Sequence, residues 1–203
     1  LAIQPDYAEA HSNLGAALRD LGKLEDAIVS YQQAVTIKPD YAEAYLNIGF
    51  ALQNLGKIDD AVASYRKALG IRPDYAEAHF NLGIALRHLG KLTDAAASYH
   101  RAIAIKPDFV EAHTNLGVTL QELGKFDGAV ASYRSALAIK SDSAELHANL
   151  GNTLAQLGRP GEAAVSYQDA LAINPDYAEA HNNFGNLLKA FGKIDDALAR
   201  YQK

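Results

Sequence analysis

The sequence has no cysteine, no methionine and no tryptophan, although it runs to 203 residues. Because it has no cysteine, it can hold no disulfide framework, no thiolate metal site and no cysteine nucleophile. The lack of methionine means that Leu1 is not a translational start, so we expect the chain to be a segment of a longer protein. Cysteine-free chains occur in reducing and oxidising compartments alike, so the composition does not determine the compartment. We favour a cytoplasmic location.

An excess of positive charge is also missing. Lysine and arginine number 19 against 24 aspartates and glutamates, which gives a formal net charge of −5. Phosphate binding requires clustered lysine and arginine, so we expect no nucleic-acid partner. No apolar run approaches the roughly 18 residues that a membrane-spanning helix requires, and no charged-then-apolar leader opens the chain. We therefore expect no membrane partner either.

Proline, glycine and tyrosine, in contrast, recur with a fixed period of 34 residues. A period of about 20 to 50 residues is typical of a repeat protein whose units stack on their neighbours. The prolines that follow this period are Pro5, Pro39, Pro73, Pro107 and, two periods later, Pro175. Twelve glycines form two ladders, Gly15, Gly49, Gly83, Gly117, Gly151, Gly185 and Gly22, Gly56, Gly90, Gly124, Gly158, Gly192. The tyrosines that follow it are Tyr31, Tyr65, Tyr99, Tyr133, Tyr167 and Tyr201.

Each period contains two predicted helices, as the second period illustrates. Asp40, with Glu43 three residues later, has capping-box spacing and predicts a helix start. Apolar residues follow at helical spacing until Gly56, which predicts a left-handed helix end because it has no Cβ. Asp59 then lies at the positive end of a second helix, and Pro73 stops that helix.

The period and its residues resemble the tetratricopeptide repeat (TPR) family over the whole chain. Ala42 to Gly49 resembles the first helix of such a repeat, and the other signature positions are Gly56, Ala61, Tyr65, Ala68 and Pro73. The resemblance implies an all-α fold, a right-handed superhelix (α-solenoid) of paired antiparallel helices whose first helices line a concave groove. We divide the single array 1–203 into the tail of a preceding repeat (1–7), the repeats 8–41, 42–75, 76–109, 110–143 and 144–177, and a partial repeat (178–203).

Small and aromatic residues at fixed positions predict the packing. Gly49 and its equivalents should let paired helices approach closely. Tyr65 should fill the space between repeats, with its hydroxyl on a polar neighbour. Histidine recurs at one place in five repeats, but residues 34 apart in stacked repeats lie about 10 Å apart, too far to share a metal ion. We therefore interpret His11, His79, His113, His147 and His181 as structural, and expect no metal, no cofactor and no catalytic site.

Asparagine forms an unbroken ladder at one register of the predicted first helices, at Asn13, Asn47, Asn81, Asn115, Asn149 and Asn183. Asparagine is a poor residue in a helix interior because its amide competes for backbone hydrogen bonds. An amide offers a donor and an acceptor side by side, which matches one peptide unit of an extended chain. The ladder can therefore bind a peptide backbone without reading its sequence. The alternative is that these residues, common at this place in TPRs, hydrogen-bond between adjacent first helices.

A longer motif refines the resemblance. Residues 5–14 read Pro-Asp-Tyr-Ala-Glu-Ala-His-Ser-Asn-Leu, and residues 175–184 repeat this pattern with Asn182 in place of Ser12 and Phe184 in the last place. The motif is similar to the TPR arrays of O-linked N-acetylglucosamine transferase-like proteins, which carry an asparagine ladder. A carboxylate clamp, another binding mode of TPRs, would need lysine near Ser12, Leu46 or Phe80, so we do not expect one here.

The positions around the ladder change in character along the chain. Repeats two to four offer apolar residues, Leu46, Phe50, Phe80, Ile84 and Val118, whereas repeats five and six offer amides, Asn149, Asn152, Asn182, Asn183 and Asn186. This predicts a ligand with apolar side chains over the former and a polar stretch over the latter. The alternative is that Phe50 and Phe80 fill the interior of the superhelix.

These patterns favour a non-enzymatic scaffold that binds a protein or peptide ligand in its groove. Two other functions stay open. The array can be the non-catalytic substrate-recognition arm of a larger glycosyltransferase-like enzyme. It can also be a self-associating array, since apolar residues at the two ends (Leu1, Ile3, Leu198 and Tyr201) would support end-to-end stacking.

Overall fold

The structure is a computed structural model that describes residues 7–202. The chain divides into two compact units, Leu1–Pro107 and Asp108–Lys203. Within the part that is described, all regular secondary structure is α-helical, which confirms the prediction of an all-α fold. No helix among these residues combines the length and the apolar character needed to cross a bilayer.

Six helices build the described part of each unit. The first unit contains α1 (Ala8–Asp20), α2 (Leu24–Ile37), α3 (Ala42–Asn54), α4 (Ile58–Ile71), α5 (Ala76–His88) and α6 (Leu92–Ile105). The second contains α7 (Val110–Glu122), α8 (Phe126–Ile139), α9 (Ala144–Gln156), α10 (Pro160–Ile173), α11 (Ala178–Ala190) and α12 (Ile194–Tyr201). The odd-numbered helices are the first helices of their pairs.

Short loops join the helices into pairs that stack within each unit. In the first unit α1 packs on α2, α3 on α4 and α5 on α6, and α2 and α4 pack on the first helix of the following pair. The second unit repeats this order from α7 to α12. The first helices also contact one another directly, α1 with α3, α3 with α5, and α9 with α11. We call the surface formed by these neighbouring first helices the first-helix face of each unit.

A glycine in the left-handed region ends each first helix, as predicted. Gly56 has φ of 74°, and its five equivalents from Gly22 to Gly192 lie between 70° and 74°. The Gly56 N–H donates to the Gln53 carbonyl at 3.0 Å, and the next N–H, from Lys57, donates to the Leu52 carbonyl at 2.9 Å. These two bonds satisfy carbonyls that the helix end leaves free, so the chain can reverse within three residues.

The predicted capping box is wrong. The residue at the N-cap of α3 is Tyr41, not Asp40, and no side chain caps this helix. Asp40 lies one residue earlier, in a turn with Pro39, and its side chain makes no capping hydrogen bond to α3. Glu43 does lie in the first turn of α3, where its charge is favourable to the helix dipole. Ser143 is the exception among the described helices, because its hydroxyl accepts from the Leu146 N–H at 3.3 Å.

The tyrosine ladder fills the space beside the glycine ladder that begins at Gly15. A Cβ built on Gly49 would lie 2.5 Å from a ring carbon of Tyr65, and the same clash recurs in all six pairs. The prediction that the rings lie between repeats is therefore incomplete, because each ring first packs on the glycine of its own repeat. Tyr31 does both, since it also joins Ile48 of the following pair in one buried cluster.

Candidate functional site

The six ladder asparagines occupy the same position, the sixth residue of each first helix. Because first helices contact one another within a unit, the ladder runs across the first-helix face. Asn13 is exposed, whereas the other five side chains are partly buried. Two open depressions, one in each unit, include four of the six.

The first depression lies in the first unit and has a volume of about 740 Å³. It brings together four of the predicted site residues, Leu46, Asn47, Phe50 and Asn81. Asn47 and Asn81 come from consecutive first helices, α3 and α5. The depression therefore combines two rungs of the ladder with an aromatic side chain that is 40% exposed, Phe50. It is completed by Arg19, Asp20, Gly22, Leu24 and Asn54.

An ion pair and an aromatic contact define one side of this depression. Arg19 donates to the Asp20 carboxylate at 2.9 Å, and its guanidinium lies 5.9 Å from the centre of the Phe50 ring. That distance is within the range of a cation–π interaction. The ring thus has one face near a cation and keeps exposed apolar surface that a ligand side chain can cover.

The second depression lies in the second unit and has a volume of about 690 Å³. Predicted site residues Val118, Asn149 and Asn183 line it, together with Asn152 and Asn186, which the sequence placed in the polar part of the array. Its remaining lining residues are Gln121, Ala155, Gln156, Tyr167 and Leu187. Its chemistry is therefore dominated by amides, in contrast to the first depression.

A hydrogen-bonded network orders the amides of the second depression. The Tyr167 hydroxyl donates to Asn152 Oδ1 at 2.8 Å, and Asn183 Nδ2 donates to the same oxygen at 3.0 Å. Burial, followed by the charge of Glu179, raises the pKa of Tyr167 to about 12. The hydroxyl consequently stays protonated, and can donate, at alkaline pH as well as at neutral pH.

Two rungs of the ladder have partners inside the protein. Asn115 Nδ2 donates to the Glu111 carbonyl of its own helix at 2.9 Å, and Asn115 lines neither depression. Asn183 bonds across from α11 to Asn152 on α9, which is the kind of contact between first helices that the alternative interpretation of the ladder expects. Asn182 donates to Asn183 Oδ1 at 3.4 Å and lies outside the lining.

Phe80 and Ile84 are partly buried and line neither depression. The Phe80 ring centre is 6.0 Å from that of Tyr99, in a tilted arrangement. This contact directs part of the Phe80 ring toward the helix pair to which it belongs. Of the predicted apolar set, the first depression thus gathers Leu46 and Phe50, and the second gathers Val118.

The sequence predicted a polar neighbour for the Tyr65 hydroxyl but did not identify it, and the partners are side-chain amides. The Tyr65 hydroxyl donates to Gln53 Oε1 at 3.1 Å, and Tyr133 donates to Gln121 in the same way. In both repeats the glutamine precedes the tyrosine by 12 residues. Tyr167 instead uses Asn152, which precedes it by 15 residues. A search for amides at fixed distances from the tyrosines would have found both sets.

Among the five recurring histidines, His79, His147 and His181 contact a backbone carbonyl of the loop that precedes their helix. His79 Nε2 lies 2.9 Å from the Pro73 carbonyl, and His181 Nε2 lies 2.8 Å from the Pro175 carbonyl. Each ring therefore stabilises the loop that precedes its helix, which agrees with a structural role. Between residues 7 and 202, no three histidine, aspartate or glutamate side chains lie close enough together to hold a metal ion.

Helix pairs that recur along the chain, with a close glycine–tyrosine contact in each pair, define a protein of the helical-hairpin repeat class. A family model described as TPR repeat matches residues 16–56, 120–158 and 151–192, and one described as tetratricopeptide repeat matches residues 46–108. The chain belongs to the tetratricopeptide repeat family.

Several solved structures have a similar fold. MamA is 24% identical with a TM-score of 0.78, and the match covers 85% of this chain and 94% of MamA. YrrB, described as a TPR protein with an unusual peptide-binding site, is 23% identical with a TM-score of 0.77, over 87% of this chain and 91% of YrrB. PilF of Pseudomonas aeruginosa is 21% identical with a TM-score of 0.79, over 95% of this chain and 88% of PilF.

These similarities establish the fold. A comparison with curated proteins gave no match. The finer resemblance to O-linked N-acetylglucosamine transferase-like arrays, which depends on the motif at residues 5–14 and 175–184, stays a prediction; residues 5 and 6 of that motif lie outside the described part of the chain.

Proposed function

We propose that this chain is a protein-interaction module that binds an extended peptide segment through asparagine side chains of its first helices. The observation that carries the proposal is the first depression, where Asn47 and Asn81 from consecutive first helices line one open surface beside Phe50. YrrB, which has a similar fold, is described as having a peptide-binding site. Membership of a repeat family whose surfaces serve binding also favours a non-catalytic role.

The chemistry of the contact follows from the amide group. Each asparagine can donate to a peptide carbonyl and accept from a peptide N–H, so it pairs with a backbone whatever side chains that backbone carries. Each such contact contributes about 0.5 to 1.5 kcal/mol net. Ordering a flexible peptide opposes binding, so several rungs and an apolar contact with Phe50 have to act together.

We assign the rungs to Asn47 and Asn81 in the first depression and to Asn149 and Asn183 in the second. Asn115 belongs to the predicted ladder, but its amide already donates to the Glu111 carbonyl. Asn13 lies outside both depressions. Leu46 and Phe50 would contact apolar side chains of the peptide, as would Val118 in the second unit. A contact of Phe80 and Ile84 with the peptide remains a prediction from the sequence.

A test uses fluorescein-labelled peptides of about twelve residues, which span about 40 Å when extended at about 3.3 Å per residue. Repeats of Ser-Leu-Pro, the apolar peptide, combine free backbone amides with an apolar side chain and an extended conformation. The Asn47→Ala plus Asn81→Ala variant should bind this peptide about 30-fold more weakly, because two contacts of about 1 kcal/mol are lost. Fluorescence anisotropy measures the dissociation constant.

Asn115→Ala is the matched control, because it makes the same chemical change at the same helix register outside the depressions. Its affinity for the apolar peptide should stay within about twofold of that of the unmodified chain. Alanine is a better helix former than asparagine, so all these variants should remain folded. The proposal fails if the double variant is folded and binds the peptide as tightly as the unmodified chain.

Two alternative functions remain sequence predictions. The array can serve as the substrate-recognition arm of a larger glycosyltransferase-like enzyme, an idea that depends on the motif alone. It can also associate end to end: Leu198 and Tyr201 on α12 are 56% and 42% exposed, whereas Leu1 and Ile3 lie outside the described residues. Sedimentation at increasing protein concentration would detect such association.

A further inference from the structure

The lining of the second depression differs from that of the first in its charge. Six of its side chains carry an amide: Gln121, Asn149, Asn152, Gln156, Asn183 and Asn186. Within the described part of the second unit, no charged side chain contributes to this lining. The first depression, in contrast, includes Arg19 and Asp20. The two surfaces therefore offer different chemistry to a ligand.

Hydrogen bonds inside the protein fix the direction of the Asn152 amide. Its Oδ1 accepts from the Tyr167 hydroxyl at 2.8 Å and from Asn183 Nδ2 at 3.0 Å. A carbonyl oxygen has two lone pairs, so both are used. The Asn152 nitrogen, with its two N–H groups, is then the part of the amide that remains for a ligand. Reversing this amide alone would place its NH₂ group against Asn183 Nδ2, which can only donate, although the Tyr167 hydroxyl could accept.

The same arrangement recurs one repeat later. Asn186 Oδ1 accepts from the Tyr201 hydroxyl at 2.8 Å, so its nitrogen too is left to donate. Asn183 spends one N–H on Asn152 and keeps acceptor capacity on its own Oδ1, although Asn182 approaches that oxygen at 3.4 Å. The depression thus presents donors from Asn152 and Asn186, and an acceptor from Asn183.

The residue at the position of Asn152 explains why, among the described residues, the tyrosine–asparagine pair occurs in repeats five and six. The positions equivalent to Asn152 in repeats two to four are Phe50, Ile84 and Val118, which cannot accept a hydrogen bond. The Tyr65 hydroxyl in the first unit donates instead to Gln53, which does not line the first depression. In repeat four, Tyr133 donates to Gln121, which also lines the second depression. Among the described tyrosine–amide pairs, those that reach a depression therefore belong to the second unit.

We propose that the second depression selects uncharged polar peptide segments, rich in hydroxyl or amide side chains, and that Tyr167 and Asn152 are the positioning residues for this selection. The proposal rests on the peptide-binding function proposed above and names its substrate class. Neutral amides can exchange hydrogen bonds with hydroxyls and with backbone groups of a peptide. A charged side chain would lose water here without meeting an opposite charge, which is unfavourable.

The test compares four labelled peptides of equal length, repeats of Ser-Thr-Pro, Ser-Leu-Pro, Ser-Glu-Pro and Ser-Lys-Pro. Tyr167→Phe removes the hydroxyl that orients Asn152 and keeps the ring. We expect it to weaken binding of the Ser-Thr-Pro peptide about fivefold, as for the loss of one oriented hydrogen bond, and to leave Ser-Leu-Pro binding unchanged. Tyr65→Phe is the matched control, since it removes a hydroxyl–amide bond of the same kind away from both depressions, and it should change neither affinity.

The outcomes separate this proposal from the function on which it rests. If Ser-Leu-Pro binds and depends on Asn47 and Asn81 while Tyr167→Phe and Tyr65→Phe behave alike, only the selection proposal fails. The selection proposal is also overturned if Ser-Glu-Pro or Ser-Lys-Pro binds the second depression as tightly as Ser-Thr-Pro does. It is likewise overturned if a neutral oligosaccharide such as maltotetraose binds there and Ser-Thr-Pro does not. If no peptide binds, the peptide-binding function itself fails.

Discussion

Replacing Gly49 with alanine should destabilise the first unit by about 3 kcal/mol. The new methyl carbon would lie 2.5 Å from the ring of Tyr65, well inside van der Waals contact. Tyr65 is 0% exposed, so the rigid ring cannot move aside without displacing the helices around it. Urea unfolding followed by circular dichroism measures the free energy of unfolding of the variant.

Gly70 provides the matched control for this substitution. It lies in α4, the same helix as Tyr65, and a Cβ added there meets no atom within 4 Å. Gly70→Ala should raise stability by up to about 1 kcal/mol, because alanine loses less backbone entropy in a helix than glycine does. Equal stabilities for Gly49→Ala and Gly70→Ala would contradict the close glycine–tyrosine packing that defines each helix pair.

Alkaline pH should unfold the protein through its buried tyrosines. Burial raises the pKa of Tyr65 far above the usual value of 10.0 and raises the pKa of Tyr167 to about 12. An unfolded tyrosine begins to ionise near pH 10, where the folded residue still holds its proton. The unfolded state then binds fewer protons than the folded state, so the free energy of unfolding decreases as pH rises.

The expected loss for Tyr167 alone is about 3 kcal/mol once the pH has passed about 12, from a pKa difference of about two units. Stability should be insensitive to these groups below about pH 9. Urea unfolding between about pH 9 and about pH 12 measures the loss, and Tyr65→Phe should make the decline with pH less steep. A free energy of unfolding that stays constant over this range would show that the tyrosine hydroxyls are not buried.

The period of 34 residues predicts the helix pairs well because backbone chemistry at single positions determines their ends. Gly56 adopts the left-handed conformation that its missing Cβ favours, and every equivalent does the same. The spacing of Asp40 and Glu43 did not predict the helix cap correctly, because the local turn decides which residue becomes the N-cap. Pro39 and Asp40 occupy a turn, and a pattern of two residues cannot tell which of several turn positions becomes the N-cap.

The candidate site was less predictable, because equal registers do not give equal environments. All six ladder asparagines share one helix position, yet Asn115 donates to its own helix while Asn183 bonds across to Asn152. The partners of Asn152 lie 15 and 31 residues away along the sequence. Such contacts depend on how neighbouring helices pack, which a one-dimensional repeat does not specify.

The side-chain amide resonances of the ladder provide the most direct test of peptide binding. A heteronuclear NMR spectrum of the chain resolves the NH₂ group of each asparagine, and these signals respond to new hydrogen bonds. On addition of the Ser-Leu-Pro peptide, the signals of Asn47 and Asn81 should shift, whereas that of Asn115, which already donates to Glu111, should not. Saturable peptide binding that leaves the signals of Asn47 and Asn81 unmoved would contradict the account.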